Sequence, residues 1–346
     1  MATKAKRKQA EPQSAAAVHE EAFSRVPAGH AHERPPIAPL DLDKVLRIKV
    51  NKSAVERRCA TIGTRRTVKK QWQAAWLLKA ITMIDLTTLA GDDTEGNVLR
   101  LCAKARRPVR EDLLEAMGVS HLNITTGAVC VYHQLVPTAV AALAGSGIPV
   151  AAVSTGFPSG LTPFEQRLEE IHASVEAGAK EIDIVITRGH VLRGEWEKLY
   201  DEVVAFRKAC GEAHMKVILG TGELATLTNV ARASRVSMMA GADFIKTSTG
   251  KEPVNATLPF GLVMARQIRE YLEDTGYRVG LKPAGGIRTA KQALEWLFLM
   301  KEELGDEYLD PTLFRFGASA LLTDIERQLE HYVTGRYAAD YRQPMA

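Results

Sequence analysis

Phe244-Ile245-Lys246-Thr247-Ser248-Thr249-Gly250-Lys251, a helical pattern over 258–275, and then Leu281-Lys282-Pro283-Ala284-Gly285-Gly286-Ile287 form the stretch from which the fold is read. A short apolar strand carrying one lysine ends in a small-residue turn, and a second strand beyond the helix repeats the design. The same alternation begins at residue 81. Strands are expected at 81–86, 128–132, 150–154, 181–187, 216–219, 243–247, 279–282 and 313–317, with helical patterns such as 163–177, 196–210, 227–239 and 290–304 between them. Eight short apolar strands alternating with helices over roughly 260 residues match an α/β chain folded as a (β/α)8 TIM barrel. A doubly wound open sheet is the runner-up.

The rest of the chain fits around that barrel. Residues 1–40 are rich in Ala, Pro, Glu and Lys without apolar period and are expected to be a disordered arm. Its cluster of Lys4, Lys6, Arg7 and Lys8 is a solvated tail or, alternatively, a localisation or anion-binding patch. His30 and His32, in such an arm, have no fixed geometry for a metal. Residues 41–80 form a helical extension, marked by Trp72, Ala75, Trp76 and Leu78, that should cap the bottom of the barrel. The barrel itself is assigned to 81–330 and a C-terminal tail to 331–346.

Composition narrows the function classes. With 46% hydrophobic and 25% charged residues, the 346-residue chain is average for a globular protein and long enough for one large barrel or two ordinary domains. Lys and Arg number 45 against 41 Asp and Glu, too small an excess for a nucleic-acid signature. No apolar run approaches the ~20 residues of a membrane span, and the basic first residues are followed by no signal-peptide core. Cys59, Cys102, Cys130 and Cys210 form no CxxC pair. A cytoplasmic protein without membrane or nucleic-acid partner is expected, and a homo-oligomer is left open.

The chemistry is carried by charged residues inside apolar strands. Lys246 alternates with Phe244 and Ser248, so the three share one strand face. Lys282 ends the next strand and is its natural electrostatic neighbour. At about 5 Å and an effective dielectric of about 20, two such cations repel by roughly 3 kcal/mol, or about 2 pKa units. That raises the neutral, nucleophilic fraction of an amine and points to Schiff-base chemistry on a carbonyl. Asp183, in Glu181-Ile182-Asp183-Ile184-Val185, needs a cationic partner or a water once buried, and Lys282 is the candidate. Asp85, ending the first strand, either orients a substrate hydroxyl or caps its turn.

Small residues follow the last three strands: Thr249-Gly250, Gly285-Gly286 and Gly317-Ala318-Ser319. Backbone N–H groups there, with helix N-termini behind, suit a phosphate. Gly220-Thr221-Gly222-Glu223-Leu224-Ala225 fits GxGxxA but falls at the fifth strand, where a dinucleotide fingerprint does not belong. There is no HExxH and no metal site is expected. Cys130 has no histidine base on its strand face and is expected to be buried as a small hydrophobe.

Taken together, the two lysine motifs resemble the deoxyribose-phosphate aldolase family. Ile84-Asp85-Leu86-Thr87-Thr88-Leu89, Glu181 to Val185 and Thr221-Gly222-Glu223-Leu224 add to the resemblance, which covers about residues 40–346 in chain order. Arg65-Arg66-Thr67-Val68-Lys69-Lys70 and the end segment from His331 place it nearer the longer, animal-type branch. The resemblance implies a class I aldolase without cofactor or metal, taking a sugar phosphate and splitting 2-deoxy-D-ribose 5-phosphate into acetaldehyde and D-glyceraldehyde 3-phosphate. Lys246 would be the Schiff-base nucleophile, and Asp183 with Lys282 the proton relay through an ordered water. Gly250, Gly285, Gly286 and Ser319 would form the phosphate cradle, with Thr249, Lys251 and Gly317 beside it. Ala320 departs from a second hydroxyl common in the family, and His133 from an expected proline. Tyr337 and Tyr341 are both candidates for a tail tyrosine that assists proton transfer. Another Schiff-base aldolase, or a binding scaffold supported only by the basic arm, are the alternatives.

Overall fold

Each strand of the barrel sends its two side-chain parities to different destinations, and this division places the site. The computed structural model describes residues 33–65 and 67–343. Lys4, Lys6, Arg7, Lys8, His30, His32 and Arg66 lie outside them. The strands are β1 Ile84–Thr87, β2 Ala128–Tyr132, β3 Val150–Val153, β4 Glu181–Val185, β5 His214–Ile218, β6 Phe244–Lys246, β7 Gly280–Lys282 and β8 Phe316–Ala318. All seven ladders are parallel, in the order β7-β6-β5-β4-β3-β2-β1-β8. Bridges between Leu281 and Phe314 and between Ala284 and Gly317 join β7 to β8. The amides of Leu281 and Gly317 each donate at 2.9 Å across that seam. This is the closed (β/α)8 barrel, and the open sheet is ruled out.

Outward residues such as Ile84, Leu86, Val129, Ile182, Met215, Val217, Ile245 and Leu281 join one large core under the surrounding helices. Inward apolar residues are few: Cys130, Ala151, Val153, Val185 and Ile218, with Phe157, form a separate small cluster. Many of the other inward positions carry charge. Gly317 is needed at the seam, because a Cβ there would stand 2.7 Å from Ala284 Cβ and 3.3 Å from Lys282 Cε.

The expected strand at 81–86 is shorter at its start. Ile81 lies within the helix Lys70–Thr82, whose carbonyls at Ala80 and Ile81 accept the N–H of Met83, and β1 begins at Ile84. A continuous apolar run does not by itself distinguish a buried helix end from a buried strand. Conversely, β5 starts two residues before the expected Lys216. The helices Trp196–Cys210, Leu227–Met239, Leu258–Thr275 and Ala290–Leu304 coincide with the expected spans.

The N-terminal extension differs from the simple bottom cap expected of it. Its helices Leu42–Arg47, Lys52–Ala60 and Lys70–Thr82 pack on the barrel's outer helices, where Trp76 meets Phe298 with ring centroids 5.4 Å apart. These outer helices carry more apolar surface than the sheet alone can cover, so the extension wraps them. The segment before residue 40 also reaches the lower end. There the Arg34 guanidinium donates to both oxygens of buried Asp243, at 2.8 and 2.6 Å, and to the carbonyls of Glu212 and Ala213. Asp243 also accepts Met215 N–H at 2.8 Å.

Arg34→Ala leaves that carboxylate without its cation and should cost about 2–3 kcal/mol of stability. Calorimetry should show a melting temperature lowered by several degrees while turnover stays within about twofold, since the latch sits at the end of the barrel opposite the lysines.

Candidate active site

Registry brings the two lysines together. In the β6–β7 ladder Lys246 stands directly opposite Lys282, and in the β4–β5 ladder Asp183 stands opposite Lys216. The chain fixes this registry just beyond the strand ends. Thr247 N–H donates to Lys282 O at 3.1 Å, Ala284 N–H to Thr247 Oγ1 at 3.0 Å, and Ser248 Oγ to Ala284 O at 2.7 Å. The Thr-Ser pair after Lys246 therefore holds β6 against β7, so the lysines cannot drift apart.

Both ammonium groups converge on one acceptor. Lys246 Nζ and Lys282 Nζ each lie 2.7 Å from Asp183 Oδ2. Lys282 is also paired with Asp85 Oδ2 at 2.5 Å. The expected contact between Asp183 and Lys282 is present, and Lys246 joins it. The Asp85 side chain does not cap its turn. It is fully buried, with Oδ1 accepting from Arg315 at 2.5 Å and Oδ2 facing Lys282. A cation at each oxygen is what keeps that carboxylate charged without water.

These surroundings divide the amines. Burial pushes Lys246 below the usual lysine range against the pull of Asp183, and the Lys282 charge adds to the push. Lys282 is buried as deeply, but Asp183 and Asp85 together outweigh burial and hold it well above that range. Asp183 is kept far below the usual carboxylate range: burial opposes this, yet Lys216, Lys246 and Lys282 overcome it. The result is one amine poised to be neutral beside a second held as a cation, with an ionised carboxylate between them. Such a trio can add an amine to a carbonyl and move protons next to it.

Two participants escaped the sequence reading. Lys216 is fully buried, donating to Glu181 Oε2 at 2.5 Å and to Asp183 Oδ1 at 3.0 Å. Arg315 joins Glu181 to Asp85, with a 3.0 Å bond to Glu181 Oε1. The available signal was a charge inside an apolar run, Met215-Lys216-Val217-Ile218 and Phe314-Arg315-Phe316, the same signal that drew attention to Asp183. Cys130 lies fully buried in the inner cluster, where burial pushes its thiol up.

The small-residue turns gather at the same end. Gly285 and Gly286 both adopt left-handed backbone, φ 82° and 83°, and Gly250 abuts Gly285. Ser319 precedes the helix Ala320–Thr334 without capping it. It lines a cavity of about 420 Å³ with Thr87, Thr88, Arg288, Ala320 and Arg327. Gly317 lies behind this wall against Lys282. The amides of Thr249 and Gly250 are differently placed from what was expected: Glu252 accepts both, at 3.0 and 3.1 Å, and also accepts Thr249 Oγ1 at 2.7 Å. These donors serve an anion that the loop itself supplies. Lys251 is exposed beside them.

The tail tyrosines lie elsewhere. The helix Ala320–Thr334 starts at Ser319 and carries the chain roughly 20 Å away over its length. Beyond it, Tyr337 stacks on His331 at 4.2 Å, Tyr341 is 83% exposed, and Arg342 and Gln343 are bound by Glu330. His133, where a proline was expected, faces Glu170 at 3.5 Å, and Glu170 in turn accepts Gly156 N–H.

Comparison with known proteins agrees with this geometry. Residues 79–324 match the DeoC/LacD family aldolase. The chain is 63% identical over 309 residues to the deoxyribose-phosphate aldolases of Homo sapiens and Mus musculus, covering 89% of this chain and 97% of each relative. In fold it is similar to the tetrameric deoxyribose phosphate aldolase of Aeropyrum pernix, with TM-score 0.55 and 23% identity over 81% of this chain and 99% of that one.

The unequal amines can be tested directly. With a small aldehyde and cyanoborohydride near pH 7, Lys246 should be reductively alkylated well ahead of Lys216 and Lys282. Peptide mapping that found either of those first would contradict the assigned charge states.

Proposed function

This chain belongs to the DeoC/LacD family of aldolases, and on that premise we propose that Lys246 is the Schiff-base nucleophile for reversible cleavage of 2-deoxy-D-ribose 5-phosphate to D-glyceraldehyde 3-phosphate and acetaldehyde. The observation that carries the assignment is the shared Asp183 oxygen, 2.7 Å from both Lys246 and Lys282. It gathers an amine whose proton burial loosens, a cationic donor and an ionised acceptor in one buried pocket.

The chemistry follows from those three groups. The Lys246 amine adds to the aldehyde carbon of the open-chain sugar, and loss of water gives an iminium. That cation draws in the electron pair released when C2–C3 breaks, so the donor fragment leaves as a neutral enamine instead of an unstabilised carbanion. Breaking the bond requires removal of the C3 hydroxyl proton, and the enamine carbon C2 must then gain one. Asp183 and Lys282, working through a water, are assigned to that transfer. Hydrolysis of the resulting iminium frees acetaldehyde and regenerates Lys246.

The phosphate is assigned to the turns at Gly285, Gly286 and Ser319, of which Ser319 lines the 420 Å³ cavity, with Arg288 as the neighbouring cation. Ala320 offers no hydroxyl there, a loss of about 1 kcal/mol against a family member that has one. A small-molecule sugar phosphate is thus the partner, in breakdown of deoxynucleosides, and the cytoplasm is the proposed compartment. No described helix is long and apolar enough to cross a membrane.

Lys246→Ala should lower cleavage by about 10⁴-fold or more with near-ultraviolet circular dichroism unchanged. Borohydride added during turnover of the unaltered protein should leave a two-carbon adduct on Lys246. A panel of longer sugar phosphates cleaved faster than the deoxypentose would reject the substrate assignment while retaining the aldolase class.

A further inference from the structure

The inside of the barrel holds four cations and three carboxylates. Lys216, Lys246, Lys282 and Arg315 face Asp85, Glu181 and Asp183, and none of the seven is more than 6% exposed. Each carboxylate oxygen already has a cation without Lys246. Arg315 takes Asp85 Oδ1 and Glu181 Oε1. Lys216 takes Glu181 Oε2 and Asp183 Oδ1. Lys282 takes Asp85 Oδ2 and Asp183 Oδ2. Lys246 is left with a share of Asp183 Oδ2, the oxygen that Lys282 already holds. In a medium that penalises net charge, three carboxylates support three cations, and the fourth is surplus.

We propose that Glu181, Lys216 and Arg315 form a positioning layer beneath the reactive amine, claiming the carboxylate oxygens that would otherwise neutralise Lys246 and so leaving it as the one uncharged amine of the barrel. The inference rests on the aldolase reading and deepens it. None of the three residues needs to touch substrate. They act through Asp183, whose Oδ1 is turned to Lys216 and away from Lys246. The other three buried cations are held above their ordinary ranges by the carboxylates they face, whereas Lys246 alone is held below. The charged and titratable groups around Lys246 are Lys216 from β5, Lys282 from β7, Asp183 and Glu181 from β4, Asp85 from β1, Arg315 at the entry to β8 and the Cys130 thiol from β2.

The layer makes predictions of opposite sign that a purely structural role does not. Lys216→Met removes a cation and releases Asp183 Oδ1, so Lys246 holds its proton to higher pH. Glu181→Gln leaves Lys216 and Arg315 in excess, so Lys246 loses its proton at lower pH. Making both changes removes one charge of each sign. The readout is the rate at which cyanoborohydride traps 2-deoxyribose 5-phosphate on Lys246, followed by peptide mass from pH 5 to 9.

The midpoint of this profile should rise by about one to two pH units in Lys216→Met and fall by about one in Glu181→Gln. It should return to within about half a unit of the original in the double variant and stay there in Lys216→Arg, which keeps the charge. Near-ultraviolet circular dichroism reports the fold. If Lys216→Met does not fold, the fall in Glu181→Gln and its reversal in the double variant decide the matter. Midpoints that stay put, or move the same way in both single variants, overturn the layer. Absence of any adduct on Lys246 in the unaltered protein overturns the aldolase reading instead.

Discussion

A carboxylate withdrawn from water is tolerated only where cations or hydrogen-bond donors take up its oxygens, and the barrel interior contains three held by cations. The cost of burying an unpaired ion is several kcal/mol even after relaxation. Asp85, Glu181 and Asp183 therefore dictate much of what surrounds them. Arg315 must span from Asp85 to Glu181, Lys216 must bridge Glu181 to Asp183, and Lys282 must bridge Asp183 to Asp85. These six contacts tie β1, β4, β5, β7 and the entry to β8 across the barrel axis. They demand that the strands keep registry, because a slip of one residue would turn a charge outward into the apolar core.

The same demand explains the seam. Arg315 reaches Asp85 only if the segment before β8 closes against β7, and closure brings Gly317 onto Ala284 and the Lys282 side chain. A residue with a Cβ at 317 would contend with Ala284 at 2.7 Å and would press on Lys282, whose position depends on two carboxylates at once. Barrel closure and placement of the second lysine are thus one steric problem, solved by one small residue.

The barrel was legible because its outward parity is apolar and its helices are long. Trp196–Cys210 and Leu258–Thr275 have clean amphipathic periods and coincide with their expected limits. Lys246, Lys282 and Asp183 were visible as charges inside apolar strands, and registry brought them within bonding distance. Lys216 and Arg315 obey the same rule but sit near strand starts, where a charged residue is as easily explained as a boundary. What sequence could not reveal was the direction of the small-residue loop after β6. Thr249 and Gly250 have the composition of an anion cradle, yet the anion their amides meet is Glu252, three residues on from Thr249 in the same loop. Tyr337 and Tyr341 were likewise undecided, since only the course of the preceding helix reveals which end of the barrel they reach.

Glu252 has a consequence for how a phosphate ester would be seated. Its carboxylate is largely buried and accepts three hydrogen bonds from Thr249 and Gly250, which saturates the donors on the β6 side of the proposed phosphate end. A fixed negative charge there repels a second anion. The opposing wall carries Arg288 and Arg327 and the start of the 15-residue helix Ala320–Thr334, whose first amides bear partial positive charge. Asn255 links the two walls: it donates to Glu252 O at 2.7 Å, and its side chain lies where a Cβ on Gly285 would meet it. The loop after β6 is thereby held in shape by its own carboxylate and placed against the turn after β7.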